Sequence, residues 1–181
     1  RFLKNLKKAT HMAEKAGVVL GFETMETEFM NTVEKAMKYT TLVDSPYLNV
    51  YPDIGNITNA AIEYKNDVLE DMMIGKGHLC AMHLKETVPG KFREIPFGTG
   101  HVNFKEAIAL AWQLGIRKYV TEFWYVGNEN WKEDLVFAHD MFEKMLDEQM
   151  TRKDEKNGKQ ENQSQRNDGD RHEQGEGDGE Q

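Results

Sequence analysis

HLCAMHLK, residues 78–85, is an apolar run too short for a helix, and it ends on a histidine and a lysine. Such a run, followed by a Gly- and Pro-rich stretch over 85–101, reads as a buried parallel strand. The same design recurs on both sides. VVLGFET (18–24) carries Glu23, YLNVYPD (47–53) ends on Asp53, and KYVTEFW (118–124) carries Glu122. The steps Glu23–Asp53, Asp53–His83 and His83–Glu122 are 30, 30 and 39 residues, about one strand-loop-helix-loop unit each. Repeated βα units lay their strands side by side and parallel, so a polar residue at each C-terminal end reaches a common rim. Two Glu, one Asp and one His on one rim predict a divalent-metal site with carboxylates able to move protons.

The segments between these runs have helical character. Phe2, Leu3, Leu6, Ala9, Met12, Ala13 and Ala16 have helical spacing closed by Gly17. Helices are expected over about 29–43, 60–74, 104–114 and 131–149, with Ser45-Pro46 as a break and Asp53 to Asn56 as a loop. Asn103 and Gly115 have the character of an N-cap and a C-cap. The pattern α-βα-βα-βα-βα, with no linker to divide it, makes residues 1–150 one α/β domain. From Thr151 to Gln181 there is no apolar residue, so a disordered polar tail is expected there.

A closed (β/α)8 TIM barrel needs about 250 residues. Four strands and a leading helix correspond to its C-terminal four βα units, a half barrel. A free-standing four-stranded sheet would leave two unpaired edges and an uncovered interior, so a fragment of a longer barrel is the expectation.

The tail's 6 basic and 9 acidic residues account for −3 of the net charge of −8, and the remaining −5 argues against a nucleic-acid footprint. A single cysteine, Cys80, forms no internal disulfide and suits a reducing, cytoplasmic location. No apolar stretch approaches the roughly 20 residues that span a membrane.

Each rim residue also has a plain structural reading. Glu23 could be a solvated strand end, Asp53 an Asx-turn residue, and His83 a satisfied core histidine. Glu122 is harder to dismiss, because burial without a partner is costly. Four consecutive strand ends carrying such residues favour the site. Carboxylates and one imidazole suit Mn²⁺, Mg²⁺, Co²⁺ or Zn²⁺, and the chemistry they allow, proton exchange at a carbon beside a ketone, needs no organic cofactor.

Glu23, YPDIGN (51–56), HLKET (83–87), PGKF (89–92), PFGTGHVNF (96–104) and TEFW (121–124) together resemble the bacterial L-ribulose-5-phosphate 3-epimerase family. That family, also called L-xylulose-5-phosphate 3-epimerase, belongs to the xylose-isomerase-like TIM barrels. The resemblance covers about residues 1–150. It implies that Glu23, Asp53, His83 and Glu122 hold the metal, with Glu23 and Glu122 as the acid/base pair. The implied reaction interconverts L-ribulose 5-phosphate and L-xylulose 5-phosphate by proton exchange at C3 through an enediolate. The family's first four barrel units have no counterpart here, and the polar tail is foreign to it.

Substrate contacts are expected from Lys85, Asn56, Arg93 and Lys91, each weighed against a rim ion pair, a turn-forming role or plain surface charge. Trp124 either walls the substrate or packs in the core, and His101 is read as exposed. The expected partner is a small sugar phosphate, with no nucleic acid and no membrane, and assembly as a homo-oligomer is left open. Alternatives on the same scaffold are an aldose–ketose (hexulose-phosphate) isomerase, a non-phosphorylated ketose 3-epimerase, and an inactive truncated barrel that only binds metal or sugar phosphate.

Overall fold

Four short parallel strands run through the molecule, and each is bracketed by helices. The computed structural model describes the main chain of residues 1–172 and the side chains of residues 1–151. The elements are α1 (Phe2–Ala16), β1 (Leu20–Glu23), α2 (Val33–Val43), β2 (Leu48–Tyr51), α3 (Ile54–Tyr64), α4 (Val68–Ile74), β3 (Met82–Lys85), α5 (Phe104–Gln113), β4 (Tyr119–Glu122) and α6 (Trp131–His172). The chain divides into two compact units, Arg1–Met141 and Phe142–Gln181.

β1 pairs in parallel with β2 (Leu20 beside Leu48, Glu23 beside Tyr51), and β3 with β4 (Met82 beside Tyr119, Lys85 beside Glu122). Among the described residues, only the isolated bridges Val50–Leu79 and Asp53–His83 join the two pairs. The expected continuous strand over 78–84 is therefore shortened to Met82–Lys85. Pro52 explains the interruption, since it has no N–H to donate to the neighbouring strand. His83 N instead donates to the Pro52 carbonyl at 2.9 Å. The partner offset also grows by one residue between the two bridges, the signature of a bulge just before His83. The order is β1-β2-β3-β4, with the outer flanks of β1 and β4 unpaired among the described residues. This is the arrangement of a partial barrel.

The caps show why the helices lie where they do. Gly17 takes a left-handed conformation (φ 67°) and its N–H closes α1 onto the carbonyls of Ala13 and Glu14. Phe2 then meets Phe22, Phe29 and Tyr39 edge to face while Phe22 stacks on Tyr39, fastening α1 to β1 and α2. Thr32 caps α2 through Lys35 N, and the buried Asp71 of α4 accepts from Val33 N and Glu34 N at 2.7 and 3.0 Å. Leu48, Val50, Ile54, Ile57 and Val33 form the fully buried centre, where each such side chain contributes roughly 1.5–3 kcal/mol.

Several helix expectations change. Asp53 to Asn56 is no loop: Asp53 is itself the N-cap of α3, and the helix starts at Ile54. The single helix expected over 60–74 is two, because Lys65 adopts a left-handed turn (φ 56°) and Asp67 caps a new start through Leu69 N and Glu70 N. α6 continues past its expected end near Gln149 as helix to His172. Lys, Glu, Gln and Arg are all good helix formers, although no apolar residue follows Met150. Residues 173–181 of the expected tail lie outside the described residues. No helix among the described residues is long and apolar enough to cross a membrane.

Candidate metal and active site

The four rim residues do converge. Glu23 ends β1, Asp53 follows β2, His83 lies in β3 and Glu122 ends β4, and one ligand atom from each lies within 4.8 Å of all the others. His83 Nδ1 is 2.8 Å from Glu23 Oε1, 3.1 Å from Glu122 Oε2 and 3.9 Å from Asp53 Oδ2. One ring nitrogen carries at most one proton, so it cannot donate to three carboxylates. A cation among them would satisfy all four. Donor atoms around an ion at roughly 2.1 Å are at most about 4.2 Å apart, so the cluster needs only a slight contraction to take one.

Asp53 supplies the second test of fit. Its side chain is 0% exposed, and Oδ2 has no hydrogen bond. Lys85 Nζ sits 3.0 Å from that oxygen as an ion pair, off the line of a hydrogen bond. Burial pushes the Asp53 carboxyl up to about 6, against the pull of Lys85 and of the Asn56 N–H. A buried, under-satisfied carboxylate oxygen aimed at two further carboxylates and an imidazole fits a divalent ion.

The framework behind Asp53 is fully specified. Its Oδ1 accepts from Asn56 N at 2.8 Å, and its own N–H donates to Thr24 Oγ1 at 2.8 Å. Asn56 Nδ2 donates to the Thr24 carbonyl at 2.9 Å, binding the end of β1 to the start of α3. The Tyr51 ring packs on His83 with centroids 4.3 Å apart, which limits the imidazole's rotation. Gly55 allows α3 to approach β3, since a Cβ there would lie 2.6 Å from the Lys85 carbonyl oxygen.

The substrate candidates fare differently. Lys85 is buried in the site, with Nζ 3.0 Å from Asp53 and 3.4 Å from Glu122. Asn56 is also buried; its amide nitrogen donates to the Thr24 carbonyl, and its amide oxygen makes no hydrogen bond. Arg93 is exposed on the long loop, ion-paired to Glu26 and lying over the Trp124 ring. Lys91 is exposed on the turn closed by the Val88–Lys91 bridge, and no ion pair among the described residues brings it to the rim. His101 is half-buried, with Nε2 2.9 Å from Thr87 Oγ1. Trp124 is partly exposed and lines an aromatic cleft of about 230 Å³ with Phe97, Phe123 and Phe137. A larger cavity of about 470 Å³ along α3 and α4 contains none of the four rim residues.

Sequence reasoning passed over Glu26, Thr24, Tyr51 and Glu86. Glu86 is buried and accepts from the N–H groups of Thr87, Gly98 and Val102, which shapes the loop after β3. Glu26, three residues beyond Glu23, carried a charge signal of its own, but its partners are 59 and 67 residues away in Lys85 and Arg93.

Comparison with known proteins agrees with this fold. A family model described as xylose isomerase-like TIM barrel matches residues 1–145. The chain is similar to the L-ribulose-5-phosphate 3-epimerase UlaE of Salmonella paratyphi C, 37% identical over 141 residues, covering 77% of this chain and 48% of that protein. It is 36% identical, over the same shares, to the protein of that name from Escherichia coli O17:K52:H18. The chain thus spans about half the length of these relatives. Among solved structures, a D-tagatose 3-epimerase-like protein superposes with a TM-score of 0.69 at 18% identity, over 83% of this chain and 55% of that one. An L-ribulose 3-epimerase superposes with a TM-score of 0.63 at 16% identity, over 83% and 54%.

Proposed function

We propose that this chain, which belongs to the xylose isomerase-like TIM barrel family, carries the metal-binding and proton-transferring half of a ketose-phosphate 3-epimerase. The substrates proposed are L-ribulose 5-phosphate and L-xylulose 5-phosphate, after the names of the relatives it matches. The observation that supports this best is the convergence of Glu23, Asp53, His83 and Glu122 from four consecutive strands, with Asp53 Oδ2 buried and lacking a hydrogen bond.

A divalent cation (Mn²⁺, Mg²⁺, Co²⁺ or Zn²⁺) held by these four residues would supply Lewis acidity toward the ketone and the neighbouring hydroxyl, making the C3 hydrogen acidic. The chain's own groups do the rest. Glu23 and Glu122 come from the first and last strands, and one takes the C3 proton while the other returns one to the opposite face. Lys85 holds Asp53 and Glu122 in place with a buried positive charge, offsetting part of the repulsion among the carboxylates. Tyr51 and the Thr24–Asn56 pair keep His83 and Asp53 from turning away. No part of this scheme needs an organic cofactor, and the single cysteine and metabolic substrate suit the cytoplasm.

The test is metal titration by calorimetry followed by NMR of L-ribulose 5-phosphate in D₂O. Deuterium at C3 with appearance of the epimer is the expected result, and deuterium at C1 would indicate an aldose–ketose isomerase instead. A chain that takes up no divalent metal would overturn the proposal.

A further inference from the structure

We infer that Glu86 is a positioning residue for the rim: through the loop that it holds against the end of β3, it fixes where Glu122 stands. The inference rests on the metal-site reading above. Glu122 needs such support. Among the described residues β4 pairs only with β3, so Glu122 ends a strand whose other flank is open. Its side chain is partly exposed, and its contact with Lys85 is a long 3.4 Å. Beyond Glu122 the chain leaves the sheet at once, in Phe123.

Glu86 follows Lys85, the register partner of Glu122, and is 3% exposed. Backbone donors use both of its carboxylate oxygens. Oε1 accepts from Thr87 N and Val102 N, each at 3.2 Å, and Oε2 accepts from Gly98 N at 3.1 Å. Hydrogen bonds to a carboxylate are stronger than neutral ones, so three on one buried group are a firm local restraint. The loop lies directly on this carboxylate because residue 100 is glycine. A Cβ there would stand 2.3 Å from Oε1 and 2.2 Å from the Thr87 carbonyl oxygen. A second strap runs beside it. His101 N donates to the Thr87 carbonyl at 3.0 Å. Thr87 Oγ1 gives its single proton to the Gly55 carbonyl, which leaves His101 Nε2 as the donor in their 2.9 Å contact.

The restraint reaches Glu122 through two phenyl rings. Phe97 precedes Gly98, is buried, and lies edge to face on Phe123 with centroids 5.6 Å apart. A further edge-to-face contact with Phe104, at 5.8 Å, ties Phe97 to the start of α5. Phe123 follows Glu122 directly in the chain. A shift of Gly98 therefore displaces Phe97, and a displaced Phe97 frees the main chain just past the carboxylate that the metal requires. Side chains alternate along an extended chain, so Lys85 faces the rim while Glu86 faces the loop. Two adjacent residues thus hold Glu122, one by its side chain and the other by its main chain.

The experiment is a double-mutant cycle on the full chain, read as Mn²⁺ affinity by calorimetry at a temperature where every variant is folded. Glu86→Gln keeps the shape but turns an amide N–H₂ toward at least one backbone N–H, so part of the loop is released. It should weaken Mn²⁺ binding roughly three- to tenfold against the wild-type background, less than the roughly 10–100-fold of a group that touches a ligand directly. When Glu122 is already Gln, the same change should cost less than about twofold. Gly100→Ala pushes the loop off the carboxylate without altering it and should give the same pattern. The ¹³C resonance of the Glu122 carboxyl, followed by NMR without metal, should move in both variants. An equal loss in both backgrounds, or an unmoved Glu122 resonance, shows a role in loop stability alone and overturns the inference. If wild type takes up no Mn²⁺, the epimerase proposal falls, and the Glu122 resonance still decides the role of Glu86.

Discussion

Replacing Asp53 by Asn should stabilise the metal-free protein near neutral pH while removing its ability to gain from metal. The carboxylate is fully buried, and burial raises it from an ordinary 3.8 to about 6; at ~1.4 kcal/mol for each tenfold in proton affinity, keeping it ionised costs the fold about 3 kcal/mol. Asn at this position retains the oxygen that accepts from Asn56 N, so the start of α3 stays capped. It loses the attraction of Lys85, which keeps Glu122, so the net gain is expected at ~1–3 kcal/mol. The pH dependence follows from the direction of the shift. Between about 4 and 6 the folded state holds a proton that the unfolded chain has released, so wild-type stability falls as pH rises through that window. The advantage of Asp53→Asn should therefore be small near pH 4 and complete above about 6. Urea denaturation with a chelator at pH 4.5, 6 and 7.5 measures the difference between the two proteins, in which the contributions of other carboxylates largely cancel. Adding Mn²⁺ at a hundredfold its dissociation constant should stabilise wild type by about 2.7 kcal/mol and reverse or erase the ranking. If Asp53→Asn is less stable than wild type at pH 7.5 without metal, or if its advantage does not shrink toward pH 4, the account of a strained buried carboxylate is wrong.

Three further outcomes are expected. Glu122→Gln keeps the shape of the rim but removes a charge and a base, so metal affinity should drop on the order of 10–100-fold and C3 exchange by a larger factor, read by calorimetry and NMR. Metal affinity of wild type should decline as pH falls below about 6, because the proton that Asp53 then holds competes with the ion; a flat profile between pH 5 and 7 would contradict this. Gly55→Ala should destabilise the fold by roughly 1–3 kcal/mol despite the better helix propensity of Ala, because the new methyl meets the Lys85 carbonyl oxygen at 2.6 Å and the Thr87 methyl at 2.8 Å. A thermal melt unchanged from wild type would show that α3 can move away from β3 at little cost.

The sequence by itself determined the repeat. Apolar runs a βα unit apart, each ending on Glu23, Asp53, His83 or Glu122, specify parallel strands with one polar rim, because strand length and periodicity are local properties. The cap at Asn103 and the left-handed closure at Gly17 were legible for the same reason. The two-helix break at Lys65 was obscured because its apolar periodicity continues past a turn that one lysine adopts. Position in space was beyond the sequence. The missing N–H of Pro52 and the bulge before His83 arise from pairing between β2 and β3, and that pairing decides where the imidazole points. Lys85 reads from its neighbours in the chain as a rim cation for substrate, yet the fold buries it between Asp53 and Glu122. Arg93 reads as a substrate contact or plain surface charge in a loop, and its orientation comes from Glu26 and Trp124, residues 67 and 31 positions away. Residue type and spacing, which chain chemistry controls, named the candidate metal-binding set. Burial and partners, which depend on strands meeting across long separations, decided the role of each cation around it.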